Sequence, residues 1–239
     1  MNSTTIRSTL ASASSRSTNA RPELNGATLS KGTLALISLS LIGGILFTAA
    51  YLVEGATRPG YSAWQQAISA LSLGPDGWMQ RANFVVFGVL VLGAAIGWRR
   101  ALRPGVGATW FPILQALVGV SLIMDGVFSQ DAVPGYPAGT VVKTATLHGQ
   151  IHNIFAYTSV LGLVATCFIL ARRFATEPRW RGWATISVLA GVLTIVFITL
   201  FGAQGAHEGL AGLCERLATG SHSVWGIAIF VRLLLDRRA

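Results

Sequence analysis

Residues 33–53, TLALISLSLIGGILFTAAYLV, contain no charged side chain. They belong to a run of 22 uncharged residues between Lys31 and Glu54. A helix needs about 20 apolar residues to cross the roughly 30 Å hydrocarbon core of a bilayer. The run is apolar throughout, without the alternation of apolar and polar residues that is typical of a membrane β-barrel. The segment therefore predicts a transmembrane α-helix.

Five further runs of this kind follow along the chain. The sequence predicts six transmembrane helices, over residues 33–53, 82–101, 107–129, 147–171, 182–203 and 212–234. Composition agrees, because 52% of the 239 residues are hydrophobic and only 11% are charged, whereas soluble domains have about 25% charged residues. We therefore expect an all-α, polytopic membrane protein with a six-helix transmembrane domain over 33–235. A soluble enzyme, a dinucleotide-binding enzyme and a nucleic-acid-binding protein are disfavoured.

The basic residues predict the orientation of the six helices. With an even number of spans, both termini share one side of the membrane with the second and fourth loops, and that side holds 14 of the 18 Lys and Arg residues. Loops rich in Lys and Arg stay in the cytoplasm. We therefore expect a protein of the inner cell membrane with both termini cytoplasmic. The outer side keeps only Arg58, Arg81, Lys143 and Arg216.

Two segments outside the spans have a distinct composition. Residues 1–32 are rich in Ser, Thr and Arg, which predicts a disordered cytoplasmic tail; a transit peptide is the alternative for such a leader. Residues 61–72 predict a short interfacial helix on the outer surface, because four apolar residues share one helix face. These residues are Trp64, Ala67, Ile68 and Leu71. Such a helix can rest on lipid headgroups or cover a cavity.

The candidate site residues lie in the outer half of the predicted bundle. His148 and His152 are four residues apart on the fourth helix, so that both imidazoles face one direction and can share a metal ion. Asp125 on the third helix and His222 or Glu215 on the sixth complete the candidate ligand set. Three such ligands and a water molecule would form a catalytic zinc site.

The catalytic candidates are Ser69, Asp125 and Glu215, with Ser69 orienting a substrate or stabilising an oxyanion. The pattern lacks the Glu of the H-E-x-x-H motif, which acts as a general base in metalloproteases. An interhelical hydrogen-bond network around His148 and His152 is therefore an alternative, and a pocket for a lipid headgroup or an ion is another. Arg216, beside Glu215, is expected to form an interfacial pair or anchor.

Several short motifs resemble one family. They are Arg58-Pro-Gly-Tyr61 with residues 67–72 and Trp78, then Phe128 and Asp131 before Leu147-His148, and finally Glu215-Arg216-Leu217 with Trp225. Together they resemble the bacterial integral-membrane family named Domain of Unknown Function 998, over nearly all residues after 33. The resemblance implies a multi-pass bacterial membrane protein, which disfavours a transit peptide. It implies no catalytic residue and no activity.

Two functions from different classes remain open. The first is a non-enzymatic bundle that binds membrane lipid, assists a transporter or acts as a scaffold. The second is a membrane-embedded, zinc-dependent hydrolase of a lipid or lipid-linked substrate. The absence of a strong catalytic motif favours the first, and the four histidines collected on one side favour the second.

Overall fold

The computed structural model describes residues 24–25, 28–140, 145–205 and 208–236. Six long helices account for most of these residues, and two short 3-10 helices, Ile68–Ser72 and Pro178–Trp180, lie between them. The long helices are α1 Lys31–Thr57, α2 Gly77–Ala101, α3 Trp110–Val127, α4 Leu147–Ala175, α5 Arg181–Ala203 and α6 Ala211–Asp236. All six are long and apolar enough to cross a membrane, and the described part of the chain contains no strand. The predicted all-α, six-helix architecture is confirmed.

Local sequence explains where several helices begin and end. The Ser30 hydroxyl accepts a hydrogen bond from the Thr33 amide at the start of α1, at 3.1 Å. Thr146 caps α4 in the same way through the Gly149 amide. These side chains occupy the N-cap position, where a hydroxyl oxygen satisfies an amide that has no partner within the helix. Arginine pairs lie in the last turns of α2 and α4, where positive charge interacts favourably with the helix dipole.

The six helices surround a central space. Each helix packs against the next one along the chain, and α1 also contacts α6, although less extensively. Glycine allows the closest approach, between α2 and α3: a Cβ atom on Gly88 would lie 2.5 Å from the Gly119 carbonyl oxygen. Small residues of this kind let membrane helices pack closely. The seam between α1 and α6 is the loosest in the ring.

The two ends of the bundle differ in composition. We call the end at which α2, α4 and α6 finish the arginine end, and the opposite end the polar end. At the arginine end, Arg173 forms an ion pair with Glu177 at 2.7 Å. Leu24 is buried there, with its amide donating to Glu177 and its carbonyl accepting from the Trp180 indole. The chain ahead of α1 is thus attached at Leu24, whereas residues 1–23 of the predicted tail lie outside the described residues.

The predicted interfacial helix is shorter than expected and packs differently. Residues 61–67 form turns and extended chain, and only Ile68–Ser72 is helical. Ala67, Ile68 and Leu71 are buried in the bundle, whereas Trp64 is 62% exposed. The expectation that these four residues share one face is therefore wrong, because Trp64 is not buried with the other three. The physical reason is that α6 holds the segment through main-chain hydrogen bonds, which place its apolar side chains inward.

Candidate functional site

A large cavity lies in the centre of the helix ring. Its volume is about 590 Å³, within the range of about 300–1,000 Å³ that is typical of small-molecule sites. It extends along α3 from Phe111 to Asp125, a span of 14 residues or roughly 21 Å along the helix axis. Most of its wall is apolar, with side chains from all six helices. The cavity is long enough to hold an extended lipid-like chain.

The cavity opens sideways between α1 and α6. Ile45 and Leu52 of α1, and Val224 and Ile227 of α6, line the cavity and are also exposed on the outside of the bundle. Leu52 is 53% exposed and Val224 is 67% exposed. In a membrane, these side chains would meet the lipid hydrocarbon. The opening therefore offers a lateral path from the bilayer into the cavity.

Four polar side chains line the polar end of the cavity, and we call them the polar pocket: Ser69, Asp125, His152 and Glu215. The Ser69 hydroxyl donates to the Gln130 side-chain oxygen at 2.5 Å. The Glu215 carboxylate accepts a hydrogen bond from the Ile68 amide at 2.6 Å. The structure thus brings together the three catalytic candidates, Ser69, Asp125 and Glu215. Their chemical roles stay predictions.

Asp125 differs from its neighbours because one of its oxygens has no hydrogen-bond partner. The residue is only 3% exposed, and its Oδ1 atom is buried without a partner among the residues that the structure describes. His152 Nδ1 is 3.6 Å from this oxygen, beyond hydrogen-bond range. One turn earlier on the same face of α3, the Ser121 hydroxyl is buried and also lacks a partner. Unsatisfied buried polar groups are rare in proteins and require an explanation.

The two histidines of the H-x-x-x-H pattern cap the end of α3. His152 Nδ1 lies 2.8 Å from the Phe128 carbonyl oxygen, and His148 Nδ1 lies 3.1 Å from the Ser129 carbonyl oxygen. Since a carbonyl can only accept, both Nδ1 atoms carry the hydrogen. Arg81 Nε donates at 3.0 Å to the carbonyl of Gly126. The last carbonyls of a helix have no partner within it, and these side chains provide one.

The four candidate metal ligands are not gathered at one point. His152 and Asp125 are neighbours, but His222 contacts Cys167, at 3.5 Å. Cys167 is 15 residues beyond His152 on α4, or roughly 22 Å along the helix axis. Within the described ranges, no three His, Cys, Asp or Glu side chains form a group that could hold a metal ion. The set of His148, His152, His222 and Asp125 therefore has no zinc geometry here, and the zinc site stays a prediction. His207 lies outside the described residues.

A second group of buried and half-buried residues attaches segment 61–72 to α6 through hydrogen bonds, and we call it the latch: Tyr61, Gln66, Ile68, Gly212, Glu215 and Arg216. Arg216 donates to the Gln66 carbonyl at 3.1 Å and to the Tyr61 hydroxyl at 2.6 Å. The Tyr61 hydroxyl in turn donates to the Ala67 carbonyl. Burial raises the pKa of Tyr61 to about 12, although the nearby guanidinium opposes this shift. The phenol therefore keeps its proton and acts as a donor.

Main-chain bonds complete the latch. The amides of Gly212 and Leu213, in the first turn of α6, donate to the carbonyls of Gln65 and Trp64. A Cβ atom at position 212 would lie 2.6 Å from the Ala63 carbonyl oxygen, so that only glycine allows this approach. The expected anchoring role of Arg216 agrees with these contacts. The Glu215 carboxylate belongs to both the latch and the polar pocket.

The fold and the site define a class: this is a multi-pass helical membrane protein with a laterally open internal cavity. The family described as protein of unknown function (DUF998) matches residues 41–232. The chain therefore belongs to this family, as its motifs predicted. No curated protein and no solved structure matches the chain.

The sequence did not reveal several residues that shape the site. The partner of Ser69, Gln130, lies in the loop after α3, where no periodicity marks it. Four aromatic side chains pack together on the wall that α1 and α2 form: Phe47, Tyr51, Phe84 and Phe87. Their spacings of three and four residues are typical of a helix face, but in an all-apolar run this signal does not separate a cavity wall from a lipid-facing surface.

Proposed function

We propose that this protein is a non-enzymatic binding protein for an amphipathic molecule that dissolves in the membrane. The observation that carries the proposal is the cavity, about 590 Å³ in volume, with an apolar wall and the polar pocket at one end. An apolar chain would lie along the wall, and a polar group would reach Ser69, Asp125 and Glu215. Largely apolar sites with a few polar groups are typical of small-molecule binding.

The lateral opening supports binding over a purely scaffolding role. A scaffold needs only its outer surface, and nothing in that role requires a cavity between packed helices. The exposed side chains at the seam of α1 and α6 connect the cavity to the lipid phase. A membrane-dissolved ligand would enter there without crossing water.

Cavity-filling variants test the proposal. Gly44 and Gly220 line the cavity, and a Cβ atom fits at both positions: at Gly44 the nearest atom is 3.9 Å away, and at Gly220 no atom lies within 4 Å. Gly44→Phe and Gly220→Phe should therefore fold and fill the cavity or its opening. Gly202→Phe is the matched control, since Gly202 is exposed on α5, does not line the cavity and also has no neighbour within 4 Å.

The measurement is mass spectrometry of the lipids and other small molecules that copurify with each variant. We expect the native chain and Gly202→Phe to retain a bound amphipathic molecule, and the two cavity variants to lose most of it. Equal amounts of the same molecule in all four proteins would refute the proposal, because binding would then be on the outer surface.

We also infer that the polar end faces the outside of the cell, in agreement with the 14 of 18 basic residues on the other side. Reporter fusions at Ala239 and within residues 131–143 should then report opposite compartments, with the C-terminal fusion active in the cytoplasm. Activity of both fusions in one compartment would contradict this orientation.

A further inference from the structure

The charged side chains that line the cavity are all acidic in the described part of the chain, and the nearest guanidinium, that of Arg216, lies behind the Tyr51 ring at 5.6 Å from its centroid. Two acidic residues, Asp125 and Glu215, line the wall, and no Lys or Arg does so in the part of the chain that the structure describes. A bound molecule with a carboxylate or phosphate group would therefore meet negative charge without a counterion. Buried charges are stable only when they are paired, so this wall disfavours an anionic ligand.

The acidic groups at the polar end differ in their partners. Glu54 pairs with Arg58 at 2.7 Å. Glu215 accepts the Ile68 amide and has Arg216 beside it in the chain. Asp125 has neither a basic side chain nor a donor on Oδ1, because His152 donates its Nδ1 hydrogen to the Phe128 carbonyl. Asp125 is thus the acidic group at this end with neither a basic partner nor a hydrogen bond on Oδ1 among the described residues.

The surroundings of Asp125 suit a positive charge. Leu122, one turn before Asp125 on α3, belongs to the same buried cluster as the rings of Phe47 and Phe84, and all three side chains line the cavity. Aromatic faces attract organic cations, and this attraction is strongest when water is absent. A carboxylate with aromatic rings nearby, inside an apolar cavity, selects cations that carry apolar groups.

We propose that the molecule bound in the cavity carries an organic ammonium group, a protonated amine or a quaternary ammonium, whose charge Asp125 balances. This inference rests on the proposed binding function and names the chemistry of the ligand. The ammonium group lies in the polar pocket, against Asp125. The apolar chain extends from there toward Phe111, along the cavity wall.

The test compares three radiolabelled probes with the same chain: hexadecylamine, which is protonated at neutral pH, hexadecanol and hexadecanoate. Each is titrated against the full-length protein in nanodiscs of uncharged lipid. We expect the amine to bind the native chain most tightly and the carboxylate most weakly. Asp125→Asn should weaken binding of the amine by about 30-fold or more, since it removes the partner of a buried charge. It should leave binding of the alcohol nearly unchanged, which also shows that the variant folds.

Asp76→Asn is the matched control, because Asp76 carries the same charge at the same end but is exposed and outside the cavity. It should bind all three probes as the native chain does. Equal affinity of the native chain for the amine and the alcohol, or no effect of Asp125→Asn on the amine, would overturn the ammonium inference. If Gly44→Phe still prevents binding of the alcohol, the proposed binding function survives that result. If no probe binds, or Gly44→Phe has no effect, both proposals fail.

Discussion

Glu215 and Asp125 are two acidic residues on the wall of one cavity, and they belong to different kinds of structure. Glu215 is part of the latch, where its carboxylate accepts the Ile68 amide and the neighbouring Arg216 bonds to Gln66 and Tyr61. Asp125 has a buried oxygen without a partner, and the Ser121 hydroxyl one turn away has none either. The latch is held together by several hydrogen bonds, although Arg216 Nε has no partner among the described residues, whereas Asp125 Oδ1 has no hydrogen bond at all within them.

Glu215 therefore stabilises the fold, whereas Asp125 lowers its stability. Fully satisfied buried networks rigidify a structure, and an unpaired buried polar group destabilises it. Violations of this rule in native proteins are expected at functional sites. The latch therefore explains how segment 61–72 is held, and Asp125, which lines the cavity, indicates where a ligand binds.

The largest expected effect is the loss of the latch. Arg216→Ala removes the hydrogen bonds to Gln66 and Tyr61, and bonds to a charged group are worth about 1.5–3 kcal/mol each. We expect the free energy of unfolding to fall by about 3–6 kcal/mol in total, measured by denaturation with sodium dodecyl sulfate in mixed micelles.

Arg100→Ala is the control for this variant, because Arg100 is exposed at the arginine end. Its effect should stay within about 0.5 kcal/mol, as is typical of surface substitutions. Arg216→Lys keeps the charge but loses the planar fork of donors, and it should give an intermediate loss. Equal stability of Arg216→Ala and Arg100→Ala would show that the latch does not stabilise the bundle.

A smaller effect is expected at the two histidines that cap α3. His152→Ala leaves the Phe128 carbonyl without its partner in a buried position, and we expect a loss of about 1–3 kcal/mol. His148 is exposed, so that water can replace it at the Ser129 carbonyl, and His148→Ala should cost less. The same denaturation experiment measures both.

Metal analysis of these proteins separates capping from the predicted zinc site. If the histidines only cap α3, the native chain should contain no stoichiometric zinc, and neither variant should change its metal content. One zinc per chain that both substitutions remove would instead support the metal-dependent hydrolase.

The smallest effect is expected at the unpaired groups, and with the opposite sign. Ser121→Ala removes a buried hydroxyl and Asp125→Asn removes a buried carboxyl group, and neither the hydroxyl nor the carboxyl Oδ1 has a partner among the described residues. Each should leave stability unchanged or raise it by up to about 1 kcal/mol. Thermal unfolding followed by size-exclusion chromatography measures the change.

Glu215→Gln is the matched substitution in the latch. It should lower stability by about 1 kcal/mol, because a neutral amide accepts the Ile68 hydrogen bond less strongly than a carboxylate does. A loss for Asp125→Asn as large as that for Glu215→Gln would mean that Asp125 also stabilises the fold.

The helices were predictable from the sequence because each depends on its own residues. A run such as 33–53 buries its main-chain hydrogen bonds within one helix and exposes apolar side chains to lipid, and both properties are local. The segment 61–72 was less predictable, because its conformation depends on residues about 150 positions later in the chain. The Arg216 guanidinium and the amides of Gly212 and Leu213 bind its carbonyls and impose turns in place of a helix.

The candidate site was likewise predictable only in part. The polar residues themselves were identified from the sequence, since Asp, Glu and His are rare inside membrane spans and mark sites of function or helix association. The hydrogen-bond partners of these residues were not identified from the sequence. The two histidine rings of α4 bond to the carbonyls of Phe128 and Ser129 at the end of α3. A spacing of four residues does not reveal this, because it is equally compatible with a shared metal ion.

The sequence by itself determined six transmembrane helices, the family and the identity of the buried polar side chains, because hydrophobic length and residue type are properties of the chain alone. Only the tertiary structure decided that α1 and α6 leave an opening, that Glu215 has partners and that Asp125 Oδ1 has none. These features depend on distances between atoms of different helices, and such distances are fixed by packing, which no single stretch of sequence contains.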